Sequence, residues 1–159
     1  MSCPATVLDN YCRTQGGCEG KMVVADDNDA ALHLKNICRQ ILLADSSIRF
    51  AGIANKMGKM VASEFREGVK PLLTDEEVEG SAVKSVLRMK TREDYESRLG
   101  RAVYTFTLYE KVKRASIPLM HGDYALLLMS FDNYARHEEI ILGKVLPLLK
   151  KHRLISSSE

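Results

Sequence analysis

The sequence predicts an α+β domain whose elements follow the order α-β-β-α-β-β-β-α. Three observations carry this prediction. A pattern of two apolar strands around a polar turn occupies residues 49–62, directly after an amphipathic helical pattern. A capping box at 74–77 opens a long second helix. After Gly100 the hydrophobic period changes to two, which indicates strands.

The first 28 residues mix Asn, Gly, Asp and Thr without a sustained period, which predicts a flexible N-terminal head. Asp29 is the expected cap of the first helix, and the single domain is predicted to span residues 29–153. The apolar face of this helix repeats at spacings of three and four and consists of Leu34, Ile37, Cys38, Ile41 and Ala44. The helix is predicted to end at 45–47, where short polar side chains compete for backbone hydrogen bonds.

The predicted hairpin turns across Asn55-Lys56-Met57-Gly58, because Asn and Gly tolerate the left-handed backbone angles of a tight turn. A loop follows at 66–71, where Gly68 and Pro71 interrupt regular structure. Thr74 and Glu77 form the capping box, since each side chain can satisfy a free amide at the start of a helix. The pattern predicts a bend or restart near 91–94 and an end at Gly100.

Three strands are predicted in the second half of the chain. Residues 103–109 alternate β-branched and aromatic side chains, and 114–119 form a second strand with Pro118 near its end. Residues 124–130 are apolar on both faces, which predicts a central strand with helices on either side. The last helix runs from Tyr134 to about Lys151, and Pro147 is predicted to kink it or to split off its final turn. Residues 154–159 are predicted to fray.

Composition excludes several classes of protein. The chain has 159 residues, 45% of them hydrophobic, and it contains no apolar run long enough for a membrane span. No basic segment followed by a hydrophobic core occurs at its start, so we expect a cytoplasmic protein. The net charge of +2 is too balanced to indicate a nucleic-acid or membrane partner by bulk electrostatics.

The sequence predicts no catalytic residue, no metal site and no cofactor. No phosphate-binding loop is present, and His137 lacks the second histidine that a zinc-binding helix requires, because position 141 is Ile. Cys3, Cys12 and Cys18 have a spacing that matches none of the paired zinc knuckles, so we expect free thiols. Whether these three cysteines bind a metal is left open. Cys38 is expected to act as a small buried hydrophobe.

The element order resembles the roadblock and longin members of the profilin-like architecture, and residues 50–61 look like the first hairpin of roadblock domains. The segment 48–71 is also similar to a group of small uncharacterised proteins from ammonia-oxidising archaea. The roadblock resemblance covers about residues 30–152. It implies a five-stranded antiparallel sheet, homodimerisation, and a role as a scaffold or regulator in a small GTPase or kinase pathway.

Three functions are therefore considered. The first is a non-catalytic dimeric adaptor, in which a sheet edge or the middle helix pairs with a second copy and another surface receives a signalling partner. The second is a sensor of a small anionic metabolite. Its predicted pocket is lined by Phe50, Met89, Tyr104 and Phe106, with Arg66 or Lys70 at the mouth. The third is nucleic-acid binding through scattered basic residues, against which we set the interleaved Glu residues and the lack of an RNA-binding aromatic pattern.

Overall fold

The computed structural model describes residues 27–156. Helix α1 (Asp27–Ala44) is followed by strands β1 (Ile48–Asn55) and β2 (Met60–Phe65), helix α2 (Asp75–Glu93) and the short helix α3 (Glu96–Leu99). Strands β3 (Thr105–Leu108), β4 (Val112–Pro118) and β5 (Tyr124–Asp132) come next. The described chain closes with α4 (His137–Ile140), a π-helical segment (Ile141–Val145) and α5 (Leu146–Lys151). The predicted flexible head, apart from the start of α1, and its three cysteines lie outside the described residues.

The strands form one antiparallel sheet in the order β2-β1-β5-β4-β3, which confirms the predicted fold class. Strand β5 lies at the centre, as its continuous apolar run predicts. The sheet has two covered faces. Face A packs against α1 and the C-terminal helices, and face B packs against α2.

Successive side chains of a strand point to opposite faces of the sheet, and this decides which helix each side chain contacts. On β1, Ala51 and Ile53 point to face A, whereas Phe50 and Ala54 point to face B. On β5, Met129 lies on face A beside Ala115 of β4. The larger core is the one on face A, and it contains four of the five helical residues predicted to be buried: Leu34, Ile37, Cys38 and Ile41. The fifth, Ala44, is the last residue of α1 and is only partly buried.

The predicted capping box and glycine turns are found at their expected positions, whereas the predicted cap Asp29 lies inside α1, which already includes Asp27. Thr74 and Glu77 make both reciprocal bonds of the capping box. The β1–β2 turn places Gly58 at φ +82, and Gly100 ends α3 at φ +77. A β-carbon on Gly58 would lie 2.5 Å from the Val83 Cα, so this turn packs directly against the backbone of α2.

The end of the chain departs from the prediction in three ways. The final helix begins at His137 and not at Tyr134, because a turn after β5 bonds the Ala135 amide to the Asp132 carbonyl. Pro147 is the second residue of α5, which follows a π-helical segment, since proline supplies no amide for the preceding helical turn. Leu154 is buried in the core and its carbonyl accepts a bond from the Met120 amide, so the packed body extends past the predicted boundary at 153.

Candidate functional site

The six residues predicted to line one ligand pocket do not meet in the structure. They are Phe50, Arg66, Lys70, Met89, Tyr104 and Phe106. Phe50 and Met89 belong to the core on face B, beneath α2. Tyr104 packs against the core on face A, and Phe106 pairs with Ala115, whose side chain also points to face A. The sheet itself therefore separates the two pairs, because its strands place them on opposite faces.

The other contacts of these residues explain their positions. The Phe106 ring stacks on His137 at the start of α4, with 3.7 Å between ring centroids. Burial and the nearby charge of Lys113 lower the pKa of His137, which favours the neutral ring in this stack. Lys70 borders a small cleft of about 60 Å³ beside Phe50. Arg66 is bound to Asp132, away from these rings.

Arg66 belongs to a polar cluster around Asp132 at the end of β5. Its guanidinium donates to the Asp132 Oδ2 at 2.7 Å and to the carbonyl of Ser46, while Arg49 donates to the Oδ1 at 3.0 Å. The Tyr134 hydroxyl lies 3.1 Å from the Oδ2. Burial would raise the pKa of Asp132, but these bonds outweigh it and hold the pKa below its ordinary value. Arg49 and Arg66 are thus both bound to a carboxylate, and Arg66 is not at the mouth of a ligand pocket.

The two edges of the sheet differ in their protection. Strand β2 is covered by α1: Glu64 of β2 pairs with Lys35 and Arg39 of α1, and the β1–β2 ladder contains an irregularity between Ile53 and Ala54. Charges and bulges are devices that natural edge strands use against pairing with another chain. The β2 edge is therefore blocked.

Strand β3 has neither a charge nor a bulge, and only its short length limits pairing with another strand. Its four residues include no charged residue and no proline, and its ladder with β4 is regular from Thr105 to Leu108. Leu108 is 63% exposed, and Val103 and Tyr109 on either side of the strand are also exposed. An unblocked edge of this kind presents backbone donors and acceptors to another strand.

Face B is unevenly covered. The core beneath α2 is built from residues of β1 and β5, and it contains no residue of β3 or β4. On β3 and β4 the side chains of Thr105, Thr107 and Ser116 occupy face B positions, since they alternate with Phe106 and Ala115 of face A. A strip of sheet next to the free edge therefore has no described helix above it.

A separate groove of about 570 Å³ lies at the end of the sheet where β4 leads into β5. Its walls come from the second half of α2, the segment 101–103, the β4–β5 connection and the C-terminal helix. Sequence reasoning missed this groove, because its walls are far apart in the chain and only the packing of α2 across the sheet brings them together. Its volume falls within the range typical of small-molecule sites.

In residues 27–156, no group of three or more His, Cys, Asp or Glu residues is arranged to hold a metal ion. Cys38 is fully buried, and desolvation raises the pKa of its thiol to about 12, so it is not a nucleophile. Among the described helices, none is long and apolar enough to cross a membrane.

A five-stranded antiparallel sheet with this order, one helix on face B and the terminal helices on face A defines the roadblock fold, as the resemblance predicted. Solved structures with the same fold include an MglB with tetrameric arrangement, at a TM-score of 0.60 and 16% identity over 81% of this chain and 90% of that one. The gliding protein MglB of Thermus thermophilus matches at 0.56 and 18%, over 80% of this chain and 86% of that one. A Roadblock/LC7 domain from Streptomyces avermitilis matches at 0.57 and 10%, over 75% and 92%.

These identities establish a common fold and nothing finer. No model of a known protein family matches the chain. No curated protein is similar to it in sequence. The resemblance of residues 48–71 to archaeal proteins stays a prediction.

Proposed function

We propose that the chain is a non-catalytic homodimeric adaptor that regulates a signalling partner, a small GTPase being the partner class that the roadblock resemblance implies. The observation that carries the proposal is the unblocked β3 edge next to a strip of face B without helical cover. A monomer that exposed this edge would be prone to uncontrolled strand pairing. Pairing with a second copy removes that liability.

The expected dimer is isologous. Two β3 strands running antiparallel about a two-fold axis would join the sheets, and each copy would present the same patch. A four-residue strand alone is too small for this purpose, because stable interfaces bury about 800 Å² per partner. We therefore expect the partner copy to cover the open strip of face B as well, which places Thr105, Thr107 and Ser116 inside the interface.

The experiment compares two charged edge strands. A double variant Thr107→Lys and Leu108→Lys puts positive charges on the β3 edge, and Ser63→Lys puts one on the exposed part of the β2 edge as the matched control. Light scattering after gel filtration gives the mass, and circular dichroism verifies the fold. We expect the parent chain and the Ser63 variant to be dimers and the double variant to be a folded monomer.

A parent chain that is monomeric at high micromolar concentration would contradict the proposal. A dimer that survives the β3 substitutions with unchanged affinity would also contradict it, because it would have to form through another surface. Purified small GTPases are then tested with the parent dimer and the monomeric variant, and we expect binding to require the dimer.

A further inference from the structure

We propose that the groove at the β4–β5 end of the sheet binds the carboxylate of a medium- or long-chain acyl group, that is, a free fatty acid. The groove adjoins the β3 edge at Val103 but contains no residue of β3 itself, so its occupant is tested separately from the dimer. Three features of the groove carry it: its floor, its charges and its lack of other polar partners.

The floor of the groove is apolar. It includes buried side chains from α2, from β5 and from the residue after β4, among them Val86, Met89, Leu126 and Leu119. Leu119 belongs to the core on face A and the other three to the core on face B, so the groove extends around the end of the sheet. Burying an alkyl chain there would remove apolar surface from water on both partners.

The charged residues of the groove favour an anion. Four cationic side chains line it, against two carboxylates, Glu93 and Glu96. The cations are Lys56, Lys90, Arg101 and Lys150. Within residues 27–156, none of the four forms an ion pair. The groove therefore has a net charge of +2, which equals the net charge of the whole chain. The excess positive charge is thus high for so small a part of the surface.

The remaining polar groups argue for a ligand with a simple head. Apart from the charged residues, the only side chains with hydrogen-bonding groups in this lining are Tyr124 and Ser156. A nucleotide or a sugar requires several placed donors and acceptors, and leaving these unmet costs affinity. A fatty carboxylate requires apolar surface and one or two nearby cations, and the lining of the groove supplies both.

The direct test is isothermal titration calorimetry of the full chain with dodecanoate below its micellar concentration. Dodecyltrimethylammonium has the same chain with the opposite charge, and butyrate has the same head with a short chain. We expect dodecanoate to bind and the other two to bind at least tenfold more weakly. From octanoate to dodecanoate we expect the affinity to rise up to about fourfold per methylene, since each buried methylene contributes to transfer from water.

Charge reversal separates the groove from the rest of the surface. The double variant Lys90→Glu and Arg101→Glu reverses two lining cations, and Lys84→Glu with Arg98→Glu reverses two exposed cations of α2 and α3 that do not line the groove. We expect the first pair to weaken dodecanoate binding about tenfold or more and the second pair to leave it within about twofold. Ala102→Phe adds bulk to the lining without changing its charge, and it should weaken binding as well.

Light scattering on the same variants distinguishes a ligand site from a self-association surface. If the groove variants change the oligomeric state and dodecanoate does not bind the parent chain, the groove is occupied by a second copy and the proposal is wrong. Equal binding of the cationic and anionic amphiphiles would also overturn it, because the cations would then play no part. A monomeric parent that binds dodecanoate refutes the dimer and leaves this proposal standing.

Discussion

Replacing Asp132 by Asn tests the polar cluster at the end of β5. The carboxylate accepts from Arg66 at 2.7 Å and from Arg49 at 3.0 Å, and the three side chains are only 14–30% exposed. Charge-assisted bonds contribute about 1.5 to 3 kcal/mol each, and the partial exposure places these at the lower end. Asn retains one neutral acceptor and leaves two guanidinium groups facing each other. We expect a loss of about 2 kcal/mol.

Urea unfolding followed by circular dichroism measures this loss. With a slope of about 2 kcal/mol per molar urea, the midpoint should fall by roughly 1 M while the slope stays constant. Glu139→Gln is the control, because its ion pair with Arg136 is 70–78% exposed and should contribute no more than about 0.5 kcal/mol. If Asp132→Asn costs no more than this control, the cluster is not a stabilising feature and the reasoning is wrong.

Three further predictions concern stability. The Lys144 and Ser47 bonds lower the pKa of Asp45 to about 2. The contribution of Asp45 to the free energy of unfolding should therefore be complete above about pH 4 and lost as pH falls through about 2. Asp45→Asn should flatten this part of the acid-unfolding curve. Gly58→Ala should cost more than Gly68→Ala in urea unfolding, because both have positive φ but only Gly58 meets backbone atoms. Leu127→Ala should cost about 2 to 5 kcal/mol, against less than about 0.5 for the 85% exposed Leu43.

Each of these three predictions has an outcome that would contradict it. An Asp45→Asn variant with the same acid transition as the parent would show that the Lys144 pair is too exposed to matter. Equal costs at the two glycines would mean that the β1–β2 turn shifts away from α2 at no cost. A loss below about 1 kcal/mol at Leu127 would mean that the core on face A closes around the cavity.

Short-range signals predicted most of the elements, because their physical causes are local. The capping box at Thr74 and Glu77, the turn at Gly58 and the helix end at Gly100 each depend on neighbouring residues. The predicted β3 at 103–109 was too long, since only residues 105–108 find partners on β4. Pairing, and not propensity, sets the ends of a strand.

The predicted ligand pocket failed for a different reason. The aromatic pattern identifies Tyr104 and Phe106 as residues of one strand face, but it cannot say which side of the sheet that face will be. The register with Ala115 decides it and places both rings away from Phe50 and Met89. The missed cluster likewise joins Arg49 to Asp132, which are 83 positions apart in the chain.

By itself, the sequence determined the identity and order of the helices and strands, the central position expected for the apolar β5, and the single-domain α+β class. The tertiary structure alone decided which faces the side chains share, which sheet edge stays unblocked, and that the residues of the β4–β5 groove meet. Hydrophobic period and capping act over a few residues, whereas faces, edges and grooves come from strand pairing and helix packing between distant parts of the chain.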